Sequence, residues 1–240
     1  MGLSVTVGIL ADLLEHDEEG AGWVKDHFTE VNGLLRANGF EKHSEPEKCE
    51  IWSAAGYGYS GLHALREVAG IVWMGKKIPR DILLTGQDKT CGDKLFDAAL
   101  PLLLGGEKKG WFSRLVRRTQ KPVSLPFLHL VAHSDAEGYY VPIDFPVPLT
   151  PSVMQKETAT LWPLGSVQQL SKEVTVLKGH LEIPNDLKSQ SDDLIECLEA
   201  KKPKADGALW EAQPIATYSA LVLKEACDAA MRTGASISFG

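Results

Sequence analysis

From Asp17 to Ala37, Trp23, Val24, His27, Phe28, Val31, Leu34 and Leu35 recur at spacings of three and four, the signature of an amphipathic helix, and Asn38-Gly39 ends it. Residues 41–50 are polar and contain Pro46, which predicts a loop, and Glu50 to Ala55 offers a short strand. A second helix starts at Ser60, a side chain suited to an N-cap. Leu62, Leu65, Val68, Ala69, Val72 and Trp73 form its apolar stripe, which Gly75 and Pro79 close. Asp93 to Leu104 reads as a third helix with Pro101 inside it, and residues 105–126 are the most irregular stretch. Further helices are predicted over Ser166–Leu177, Ser191–Ala200 and Ala212–Arg232. Thr233-Gly234 ends the last of them before a terminal strand over Ser236–Phe239. Ser4 to Val7 reads as a strand start.

The clearest strand pattern runs from Leu125 to Phe145. Phe-Leu-His-Leu-Val-Ala-His and Tyr-Tyr-Val-Pro-Ile-Asp-Phe flank a polar Ser-Asp-Ala-Glu-Gly turn, which predicts a β-hairpin. Pro142 has no amide to donate, so the second strand is expected to leave the sheet there. The expected class is α+β, one domain over residues 1–240, with a mostly antiparallel, hairpin-containing sheet packed against several amphipathic helices.

Composition narrows the class without naming an activity. Hydrophobic residues make up 44% and charged residues 24% of 240, as in ordinary globular chains, and no apolar run approaches the roughly 20 residues of a membrane span. Cys49, Cys91, Cys197 and Cys227 are scattered without a C-x-x-C pair, and the first residues lack a basic-then-apolar leader. A soluble cytoplasmic protein with no cofactor and no bound metal is expected. The net charge of −7 is uneven: residues 1–60 carry eleven acids against four bases, 61–126 six against twelve, and 127–240 fifteen against nine. A globally acidic chain is a poor phosphate binder, so nucleic acid is set aside as a ligand.

Four constellations could carry chemistry. Gly56-Tyr57-Gly58-Tyr59-Ser60-Gly61 fits G-x-G-x-x-G. The strand before it is weak, however, and Asp81 precedes its apolar run where a ribose-binding acid would follow one, so a flexible loop entering a helix is preferred. The hairpin gathers His129, His133, Asp135, Glu137, Tyr140 and Asp144 as a candidate polar site. On a strand its two histidines share a face about 13 Å apart, too far to hold one metal. Lys108, Lys109, Arg114, Arg117, Arg118 and Lys121 line a basic amphipathic segment beside Trp111 and Phe112. Asp192, Asp193, Glu196 and Glu199 form a solvated acidic helix face. With no convincing nucleophile, ligand set or phosphate loop, the expectation is a non-catalytic binding or protein-interaction module of immunity or regulatory type, acting on an unidentified protein partner. A small-molecule enzyme on the hairpin, or membrane or nucleic-acid binding through 108–121, are the alternatives.

Overall fold

A computed structural model of the chain describes residues 4–55, 58–87, 90–103, 125–134, 137–151 and 163–240. Among these, nine helices accompany a five-stranded mixed sheet, an α+β fold. The strands are β1 (Ser4–Val7), β2 (Trp52–Ala55), β3 (Tyr139–Val141), β4 (Gly165–Ser166) and β5 (Ile237–Phe239). The helices are α1 (Ile9–His16), α2 (Glu18–Ala37), α3 (Gly58–Trp73), α4 (Thr90–Leu103), α5 (Leu128–Ala132), α6 (Val167–His180), α7 (Asp192–Ala200), α8 (Leu209–Ala212) and α9 (Pro214–Thr233).

The sheet order is β2-β1-β5-β3-β4. All pairs are antiparallel except β3 with β4. The two ends of the chain meet, with Val5 opposite Phe239 and the Ser4 amide donating to the Gly240 carbonyl at 2.7 Å. Alternation along the strands divides the apolar side chains between two cores. Val5, Val7, Tyr140 and Ile237 join Leu65, Leu95, Leu130, Leu170 and Leu221 in a main core under α3, α4, α5, α6 and α9. Tyr139 and Val141 point the other way, onto the Phe28, Val31 and Leu35 face of α2.

Several boundaries follow from local chemistry. Gly8, at φ 86, turns β1 directly into α1, a helix the sequence pattern did not reveal. The Ser166 hydroxyl caps α6 by accepting from the Gln169 amide at 3.3 Å, and Gly234, at φ 74, ends α9. Ser60 is no cap: α3 already begins at Gly58. Buried Gln213 ties the 79–84 segment to α9, donating to the Pro79 and Ile82 carbonyls and accepting from the Leu84 amide.

The predicted 125–145 hairpin does not form. Its first half is α5, entered through Phe127 at φ 61, and its second half, β3, pairs with β5 and β4. The termination at Pro142 stands, since β3 ends at Val141.

Candidate functional site

The carboxylates sort into two groups by what they touch. The inward group holds the fold. From α3, Glu67 accepts the first amides of α4, Cys91 at 3.0 and 2.9 Å and Gly92 at 2.7 Å. From α6, Glu173 accepts the His129 and Leu130 amides at 2.9 and 2.8 Å, closing the N-terminus of α5, and burial pushes its pKa up to about 7. Glu45 lies 2.6 Å from His43 and accepts the Ser236 amide. Glu225 uses both oxygens on Ser189. These charges are occupied by the structure.

The outward group includes a run on α1 and α2. Asp17 is extended, at φ −153, and its carboxylate caps α2 by accepting from the Gly20 amide at 3.0 Å. Glu18 and Glu19 follow in the first turn, where the helix dipole favours them. Ala21, Val24, Phe28, Val31, Leu34 and Leu35 take the buried face, so Glu19, Trp23, Asp26 and Glu30, spaced i, i+4, i+7 and i+11, fall on one solvent stripe. Glu15, Glu18, Glu19, Asp26 and Glu41 are all exposed and make no ion pair among the described residues. Lys25 is taken out of play by Glu47 at 2.8 Å, and that lysine holds the Glu47 carboxyl below the usual carboxylate range. The helix is anchored from behind. Asn32 donates to the His43 carbonyl and accepts its amide, and His27 Nδ1 lies 3.0 Å from the Tyr139 hydroxyl on β3.

A second outward set, Asp192, Asp193, Glu196 and Glu199, lies on α7 as the sequence predicts. Asp193 and Glu196 border a groove of about 500 Å³ with Trp210, Lys202 and Lys204, but Lys204 is spent on Glu211 at 2.5 Å. Among the described residues no three His, Cys, Asp or Glu side chains converge on a point that could hold a metal.

The polar residues singled out between 129 and 144 are dispersed. His129 and His133 are buried at the start and end of α5, and desolvation pulls both pKa values down to about 4. His129 Nδ1 accepts from the Ser166 amide, and His133 stacks on Tyr140 with ring centroids 4.2 Å apart. The Tyr140 hydroxyl, also buried, donates to the His129 carbonyl. These three are core residues. Asp144 faces solvent and is held by Gln169 and Lys172, while Glu137 is exposed. Asp135 lies outside the described residues, as do Gly56, Tyr57 and the whole basic segment with Lys108, Lys109, Arg114, Arg117, Arg118 and Lys121.

Among the described residues, fold and surface together give an α+β protein with exposed carboxylate sets on α1–α2 and on α7. Over residues 1–239 the chain matches the model of a family described as "Putative DNA-mimic protein", and it belongs to that family. No curated protein and no solved structure matches it. The family corrects two expectations. A protein-interaction module of immunity or regulatory type gives way to membership of a DNA-mimic family. An unidentified protein partner with nucleic acid left out of the picture gives way to the DNA-binding proteins that a DNA-mimic family points to. A surplus of carboxylates weakens phosphate binding and is what a DNA likeness requires. The sequence did hold the signal, eleven acids in the first sixty residues, but composition alone does not show which of them face water.

Proposed function

We propose that the chain presents the α1–α2 carboxylates in place of DNA phosphates and occupies the DNA-contacting surface of a DNA-binding protein. The observation that carries this is the set of exposed carboxylates without an ion pair among the described residues, Glu15 on α1 and Glu18, Glu19 and Asp26 on α2, which is pinned to the sheet, in a chain of this family. Magnitude defines what is imitated. Residues 18–30 span about 18 Å, in which duplex DNA would carry about ten charges. Four acids stand there, so the likeness is to a few contacted phosphates and not to a continuous duplex. A cytoplasmic location fits this reading, because DNA-binding proteins would be met there.

The test is displacement. Host proteins retained on duplex DNA–cellulose are washed with the chain at 50 mM and 300 mM salt. The expected result is release of specific proteins at low salt, and much less release by an E18K/E19K/D26K variant. No release at low salt, or equal release by the reversed variant, overturns the proposal.

A further inference from the structure

Phosphate imitation explains the acids on α2 but not the indole among them. Trp23 is 70% exposed, more than any other large apolar side chain among the described residues. It stands at the centre of the stripe, four residues after Glu19 and three before Asp26, so both carboxylates fall about 5–6 Å away at Cβ. The His27 ring lies beside the indole, tilted by 43° with centroids 6.0 Å apart, and His27 Nδ1 is 3.0 Å from the hydroxyl of Tyr139, which packs on Phe28 at 5.0 Å. The result is an exposed aromatic face backed by the tilted rings of His27, Tyr139 and Phe28 and flanked by carboxylates that make no ion pair among the described residues.

We infer that Trp23 is a platform for an arginine of the partner, the guanidinium lying on the indole face while its N–H groups donate to the Glu19 or Asp26 carboxylate. This rests on the proposed DNA mimicry and adds to it the partner's chemistry. The surface selects an arginine-presenting DNA-binding face over a lysine-presenting one. Charge complementarity alone treats the two cations alike. A planar guanidinium stacks on an aromatic ring and still offers its fork of donors, whereas an ammonium is a compact, strongly hydrated point charge. Trp and Arg are also the residues that dominate binding energy at protein interfaces.

The test uses the full chain and two synthetic 12-residue peptides of equal length and charge, one carrying six arginines and the other six lysines. Affinities are read by calorimetry at 50 mM salt. The arginine peptide is expected to bind roughly threefold to tenfold more tightly. W23A and W23L, both at an exposed position, are expected to abolish that preference while leaving the lysine peptide's affinity unchanged, with folding checked by circular dichroism. Equal binding of the two peptides by the unmodified chain overturns the inference. So does a preference that survives in W23A, or one that survives in W23L, which would assign the effect to apolar area. Failure of the underlying mimicry looks different: neither peptide binds at 50 mM salt, or E18K/E19K/D26K binds both peptides as well as the unmodified chain does.

Discussion

Glu67 and Asp26 carry the same charge, yet one is spent on two amides of a neighbouring helix and the other faces water. Replacing each by its amide separates the two roles. Glu67→Gln keeps the shape but removes a charge-assisted acceptor from the buried N-terminus of α4, so unfolding free energy is expected to fall by about 1–3 kcal/mol. Asp26→Asn touches nothing buried and should change stability by no more than about 0.5 kcal/mol. Urea melts of the two variants check this, and an unchanged midpoint for Glu67→Gln would remove it as a cap. Nothing local in the sequence separates these acids. Glu67 and the Cys91 amide are 24 positions apart, so only the packing of α3 against α4 makes Glu67 a cap.

At the level of elements, the helices with long apolar stripes were legible and the short α5 was not. Five residues cannot support a helix alone. α5 is closed at one end by Glu173 from α6 and at the other by Arg66 from α3, whose Nε donates to the Leu130 carbonyl and whose terminal nitrogen donates to that of His133. Its sequence, rich in Leu and Val, reads locally as a strand, and the distant partners decide otherwise. The mistaken hairpin then grouped core histidines with surface acids as one polar site. The carboxylates on α2 were legible as charge but not as a surface. The α3–α4 pair supplies a further prediction. A Cβ at Gly70 would lie 2.2 Å from the Cys91 carbonyl carbon and 2.6 Å from the Gly92 nitrogen. Backbone cannot yield as a side-chain tip can, so Gly70→Ala should force the helices apart and lower stability by about 1–3 kcal/mol or more. A thermal midpoint matching the unmodified chain would show that the crossing has slack.

For the whole molecule, buried titration makes stability depend on pH in a way whose sign can be worked out. His129 and His133 titrate near 4 when folded and near 6.5 when unfolded, so between those values the unfolded chain binds up to two more protons, and stability falls as the pH drops. Glu173 acts in the opposite direction. Its folded pKa of about 7 lies above its ordinary 4.5, so its contribution is fully present below 4.5 and is lost as the pH rises through 7. From about pH 4.5 to 6.5 the two histidines outweigh the single glutamate, leaving a net difference of one proton. Stability should therefore rise with pH there, by roughly 1 kcal/mol per unit. Glu173→Gln removes the opposing group and should double that slope, whatever it does to stability at any one pH. His133→Phe, which can keep the stack on Tyr140, should bring the slope close to zero. Urea unfolding at half-unit steps from pH 4.5 to 6.5 reads all three chains. Parallel curves for the three would mean that these groups do not set the acid sensitivity of the fold.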